Sequence, residues 1–146
     1  MKKITLILMY LFILCVFTIH ADNEKPIKVS QLPAAAQQFI KQHFADRKVA
    51  LTKMETEFVA KNYEVIFIDG GHIDFDSKGN WKEIECKSSS VPVAVIPTQI
   101  MEYVSENHSN TTIKKLKKDR REYEVKLSNR VELSFDMKFN LTDIDM

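Results

Sequence analysis

Cysteine, glycine and tryptophan are scarce in this chain, and each scarcity excludes something. Only three of the 146 residues are glycine, so a glycine-rich phosphate loop has little to be built from, and two of the three stand together at Gly70-Gly71. The two cysteines are Cys15 and Cys86. Cys15 falls inside an N-terminal apolar run, which leaves Cys86 alone and rules out an intramolecular disulfide in the remainder. No G-x-S-x-G, H-E-x-x-H or nucleotide-binding motif occurs, so neither a catalytic residue nor a cofactor is assigned. Charge of one sign is also lacking: the net charge is +1. A balanced chain has no global field to draw it to nucleic acid or to an acidic membrane.

Long hydrophobic runs are absent apart from one. Lys2 and Lys3 precede an apolar-rich stretch from Ile4 to Ile19, followed by Ala21. That order is the layout of a secretory signal, and the stretch is shorter than the roughly 20 apolar residues a membrane span requires. Residues 1–21 are therefore read as a signal peptide cleaved near Ala21, with delivery to the periplasm or the exterior and no membrane span in the mature chain. Leu14 before Cys15 and Val16-Phe17 after it argue against a lipidated cysteine. Losing Lys2 and Lys3 takes the basic residues from 21 to 19 against 20 acidic ones, a mature charge of −1.

What is present is a repeat. Tyr63 to Asp76 reads Y-E-V-I-F-I-D-G-G-H-I-D-F-D, and Tyr123 to Asp136 reads Y-E-V-K-L-S-N-R-V-E-L-S-F-D. Ahead of each lies a proline-started amphipathic stretch, with Ala36, Phe39, Ile40 and Phe44 in one and Ile100, Tyr103 and Val104 in the other. Their spacing predicts helices beginning near Pro33 and Pro97. The helices are offset by sixty-four residues and the Tyr-Glu-Val strands by sixty, so a four-residue length difference lies between helix and hairpin. After each helix the period becomes two: Tyr123, Val125 and Leu127 alternate with polar residues, as do Val131, Leu133 and Phe135. Further strands are expected near Val49 to Glu55, Trp81 to Glu85, Thr112 to Lys117 and Leu141 to Asp145.

The predicted fold class is α+β: a tandem repeat of one helix plus four antiparallel strands, joined into one sheet of about eight strands with both helices on one face. The divisions are a flexible leader at 22–31, a first repeat at 32–87, a hinge at 88–95 and a second repeat at 96–146.

The two helix starts, the Y-E-V strand, the F-D-x-x-G-x-W turn at Phe75, Asp76, Gly79 and Trp81, and the closing Ile84-Glu85 resemble the PepSY-like, beta-lactamase-inhibitor-like proteins exported by Bacteroides-type bacteria. The resemblance runs from Leu32 to Asp145. It implies the fold of the beta-lactamase inhibitor protein, in which the open face of a concave sheet grips an enzyme. The second copy departs from the motif, with Phe139 and Leu141 where the first has Gly79 and Trp81.

Candidate sites follow from where the copies differ. On the open face the first copy places Ile66, Ile68, His72 and Asp74, and the second Lys126, Ser128, Glu132 and Ser134. Apolar residues on a face that the sister unit keeps polar point to contact with something, and tryptophan is enriched where interfaces carry binding energy. The expected partner-binding surface is thus Ile66, Ile68, His72, Asp74, Trp81, Lys126 and Glu132, with Trp81 covering the core edge, as Leu141 would in the second copy, as the alternative for that residue. Its occupant is an unidentified protein partner, such as an envelope or secreted enzyme, with a periplasmic small-ligand or metal carrier as the alternative.

Other constellations read as structural. Cys86 with His72 or His43 is weaker as a nucleophile and base than as a packed small residue. Asp74 to Asn80 has the oxygen-rich look of a calcium loop, but Lys78 stands at the fifth position, and a turn explains Asp76 and Gly79 better. No metal ligand set is assigned. The basic run from Lys114 to Arg121 lacks interleaved aromatics and reads as a solvated hairpin tip rather than a nucleic-acid site.

Overall fold

The computed structural model describes residues 23–146; the signal segment and its cleavage point lie outside the described residues. Nine strands form one antiparallel sheet in strict chain order. They are β1 (Glu24–Pro26), β2 (Val49–Glu57), β3 (Ala60–Phe67), β4 (His72–Phe75), β5 (Trp81–Glu85), β6 (Ile113–Lys118), β7 (Glu122–Leu127), β8 (Glu132–Asp136) and β9 (Leu141–Asp145). Helix α1 (Ala34–His43) precedes β2, and α2 (Thr98–Asn107) precedes β6. The α+β class and the tandem helix-plus-four-strand plan are those expected from the periodicity.

The sheet has nine strands rather than about eight because part of the leader joins it. Glu24, Lys25 and Pro26 pair with Glu55, Met54 and Lys53, and the Ile27 amide donates to the Thr52 carbonyl at 2.9 Å. Two charged residues and a proline carry no periodic signal; they are ordered by the unpaired edge of β2, and a proline suits an edge position.

The repeat is accurate at the level of hydrogen bonds. Val49 faces Phe67 as Ile113 faces Leu127, each followed by a bulge, and a second bulge follows Asp74 as it follows Ser134. Ala36 and Ile40 of α1 and Ile100 and Val104 of α2 lie buried in one core with Val65, Phe75, Ile84, Leu116, Val125 and Phe135. Both helices therefore cover the same face. Each clamps its own hairpin through an edge-on aromatic pair: Phe39 on Phe75 at 5.9 Å and Tyr103 on Phe135 at 5.4 Å between ring centres. Burying each such side chain contributes roughly 1.5–3 kcal/mol. Strands β5 and β6 carry the sheet across the junction, with Ile84 opposite Leu116.

The turns repeat too, with different residues in one backbone shape. Gly70 at φ +84° has Arg130 at φ +74° as its counterpart, and Gly79 at φ +85° has Phe139 at φ +65°. A left-handed conformation costs a non-glycine residue about 1–2 kcal/mol. Arg130→Gly should therefore leave stability intact or raise it by up to about 1 kcal/mol once glycine's added chain entropy is subtracted. Urea unfolding measures this, and a loss of stability would contradict the assigned turn.

Candidate functional site

Strand register arranges the face away from the helices into two rows. One runs Leu51, Ile66, His72, Glu85, Lys115, Lys126, Glu132 and Asp145, each opposite the next on adjacent strands. The other runs Lys53, Glu64, Asp74, Glu83, Lys117, Glu124, Ser134 and Asp143. Alternation along each strand sends these side chains one way and Val65, Ile73, Ile84, Leu116, Val125 and Leu133 into the core.

Ile66, His72, Asp74, Lys126 and Glu132 thus lie together on the face where the sequence puts them. Two of the expected residues do not. The bulge after Asp74 makes Lys82 the extra residue of β5, so Trp81 pairs with Phe75 and packs on the core side, with Lys118 over its ring at 4.2 Å. Strand parity without the bulge gives the wrong face. Ile68 follows the last residue of β3 and is 68% exposed at the rim, where its amide donates to the Lys48 carbonyl at 3.0 Å. Glu64, Glu83, Glu85, Lys115 and Lys117 share this face and were not placed there from the sequence, where Glu85 counts as a motif residue and Lys115 and Lys117 as part of a solvated hairpin tip. Their signal was present in the alternation around Val65, Ile84 and Leu116, but only the strand register shows that they meet.

His72 is the hub of the face. Its Nε2 lies 3.3 Å from Glu83 and its Nδ1 3.6 Å from Glu85. Lys115 contacts Glu83 at 2.6 Å, Lys87 is paired with Glu85, and Lys53 contacts Glu64 at 2.7 Å. Lys117 with Glu124 at 3.0 Å and Lys126 with Glu132 at 2.7 Å complete the pattern in the second unit. Contact with His72, reinforced by Lys115, holds the Glu83 carboxyl at about 2, well below its usual 4.5, in spite of burial. The same contact raises His72 above its ordinary 6.5, again against burial. Asp74 is raised because burial disfavours its charge, with the nearby Glu64 and Glu83 carboxylates adding to the effect and His72 opposing it. Two groups could each converge three ligand atoms within 4.8 Å: Glu64, His72 and Asp74, and His72, Glu83 and Glu85. Shallow cavities of about 300 Å³ beside Glu64 and Asp74, and about 120 Å³ beside Lys126 and Glu132, mark the face.

The pair His72–Glu83 makes stability depend on pH with a definite sign. The contribution of Glu83 is present above pH 4.5 and is lost as pH falls from there toward 2. That of His72 is present below pH 6.5 and is lost as pH rises through its raised folded value. Unfolding free energy should therefore fall as pH rises above 6.5, and His72→Gln should flatten that limb. A variant with the same alkaline slope as the unmodified protein would contradict the contact.

The turn reading of Asp76 is supported by its bonds. Its Oδ1 accepts from the Lys78 and Asn80 amides at 2.9 Å each, and Asp136 repeats this with Lys138 and Asn140 at 2.8 and 2.9 Å. Both carboxylates are engaged by their own turns. Cys86 is buried, and desolvation raises its thiol above the ordinary value, the opposite of what a nucleophile needs.

The family model described as "Putative beta-lactamase-inhibitor-like, PepSY-like" matches residues 19–62 and 61–143. The chain belongs to the PepSY-like family. Among solved structures this PepSY-like chain is 59% identical to a "putative calcium-regulated periplasmic protein" of Bacteroides thetaiotaomicron, with a TM-score of 0.84 over 86% of this chain and 99% of that one. It is 53% identical to a periplasmic protein of the DUF2874 family from Bacteroides vulgatus, with a TM-score of 0.83 over 86% and 99% of the two chains. A second Bacteroides vulgatus periplasmic protein, of unknown function, is 35% identical with a TM-score of 0.79 over 84% and 99%. No curated protein matches the chain. The PepSY-like chain is, like these relatives, a periplasmic protein. No helix among the described residues is long and apolar enough to cross a membrane.

Proposed function

We propose that this PepSY-like chain is a non-catalytic binding module that holds another protein, such as an envelope or secreted enzyme, against the open face of its sheet. The observation that carries the reading is the pair of cross-sheet rows. They gather sixteen side chains of mixed charge on a face that neither helix covers. The pairs of the second unit, Lys117–Glu124 and Lys126–Glu132, are exposed and contribute only about 0–1 kcal/mol each to stability, so holding the fold together does not account for that half of the pattern. Fixed patches of both signs, such as the acidic run Glu64–Asp74–Glu83 and the lysine pair Lys115–Lys126, set the register of a partner and suppress wrong ones. Membership of a family described as beta-lactamase-inhibitor-like supports a protein as the occupant.

Affinity capture from native periplasm tests this with Ile66→Lys and Lys126→Glu on the face and Gln38→Lys on exposed α1 as the control. Both face variants should lose the partner recovered by the control. Equal recovery by all three would remove the face from consideration.

A second reading has its own support. A relative with 59% identity is described as calcium-regulated, and His72 stands among four carboxylates, Glu64, Asp74, Glu83 and Glu85. A divalent cation there would have to displace the lysines now paired with Glu64, Glu83 and Glu85. Calorimetric titration with calcium and with zinc separates the readings. Saturable heat that Asp74→Asn abolishes supports the cation, and heatless injections dispose of it.

A further inference from the structure

The β2–β3 hairpin outruns its counterpart. Both hairpins hold an equivalent pair, Met54 with Tyr63 and Lys118 with Tyr123. Beyond it the first continues through Glu55–Asn62, Thr56–Lys61 and Glu57–Ala60, roughly 10 Å at 3.3 Å per residue, whereas β6 ends there. At the tip stand Phe58 and Val59, each 100% exposed. Phe58 has φ +54°, a conformation suited to asparagine or glycine. Sequence and solvent thus both disfavour what is found, and neither packing nor turn chemistry within the chain explains it. Glu55 and Glu57 flank the tip against one cation, Lys61.

Strand alternation brings the β2–β3 tip, the β4–β5 turn and the β6–β7 turn to the same end of the sheet. Between the last two lies a cavity of about 560 Å³ lined by Trp81, Tyr123 and Met137, with Lys82, Lys118 and Arg120 among its walls. Its two carboxylates, Asp76 and Asp119, accept backbone amides of their own turns and stay charged, so the walls carry three cations against two anions. An apolar finger with acidic flanks and an apolar pocket with basic walls therefore sit side by side, about three strand spacings or 15 Å apart.

We propose that two copies of this chain associate end to end about a two-fold axis, each inserting Phe58 and Val59 into the Trp81–Tyr123–Met137 pocket of the other. The shared end makes the contact reciprocal, so it closes as a dimer instead of growing into a fibre. Reciprocity also counts the contact twice, and one fingertip alone would fall short of the roughly 1,000 Å² of a specific interface. The second copy is favoured over another partner because both halves of the complementarity are present in this one chain.

Sedimentation velocity on protein purified from a periplasmic extract, from micromolar to millimolar concentration, tests the association. The unmodified chain should dimerise. Phe58→Asn, which suits the left-handed turn and leaves urea stability unchanged or higher, should weaken dimerisation by roughly tenfold or more. Glu57→Lys should weaken it too, with Arg120→Glu in the same chain restoring it. A monomer at every concentration, or a Phe58→Asn variant that dimerises as the unmodified chain does, would overturn the proposal.

Discussion

Phe75→Ala should lower the unfolding free energy by about 3–5 kcal/mol, the range for deleting a buried phenylalanine from a packed core. Phe75 has no exposed surface and takes the edge of Phe39 from α1 across its ring. Because the helix reaches the sheet through this pair, the cavity cannot close without moving α1. A domain of this size has about 5–15 kcal/mol in total, so the loss is a large fraction of its stability. Phe135→Ala should match it, since Phe135 meets Tyr103 of α2 in the same way. Chemical denaturation reads both, and a loss under about 1 kcal/mol at either would show that the helix is not held there.

Gly79→Val should be nearly as damaging, for a different reason. Gly79 combines φ +85° with a wall of α1: a Cβ would meet the Ala36 amide nitrogen at 2.8 Å and the Pro33 Cβ at 2.9 Å. A branched side chain pays for the backbone and for pushing away the helix start, together about 3 kcal/mol or more. The second copy shows that the conformation alone is tolerable. Phe139 adopts φ +65° in the same turn, with its ring centre 5.4 Å from that of Tyr123. The predicted contrast is sharp: Phe139→Gly relieves strain while losing that tilted ring contact and changes stability little, whereas Gly79→Val destabilises strongly. Comparable losses at both turns would mean that the approach of α1 is not what selects glycine.

These effects fall on elements that the sequence made legible. Ala36, Phe39, Ile40 and Phe44 repeat at helical spacing, and Tyr123, Val125 and Leu127 at strand spacing, because burial on one face selects residue type directly. Strands Trp81–Glu85 and Leu141–Asp145 fall where expected. Strand β1 was hidden because two charged residues and a proline, paired through their backbone, leave no side-chain pattern. Tryptophan's enrichment at interfaces put Trp81 on the expected binding surface, with the core edge as the alternative; the bulge after Asp74 turns it to the core side, and a bulge of this kind has no mark in the sequence beyond the turn that precedes it.

The site was legible in outline only. His72, Asp74 and Ile66 stood out where the copies disagree, and their shared face follows from alternation. That His72 lies between Glu83 and Glu85, and that Lys115 reaches Glu83, depends on pairing across β4, β5 and β6. The last of these joins segments some thirty residues apart, Glu83 opposite Lys117 and Glu85 opposite Lys115, through a helix and a junction. Local spacing carries no information about such a pairing.

The central claim is that the open sheet face is where this PepSY-like chain meets its partner. Site-specific photo-crosslinking in living cells tests it most directly, with a photoreactive residue at position 66 in the cross-sheet row and, as control, at exposed position 102 on α2. The account predicts a discrete crosslinked adduct from position 66 and none from position 102. Adducts from the helix alone, or from neither position, would contradict it.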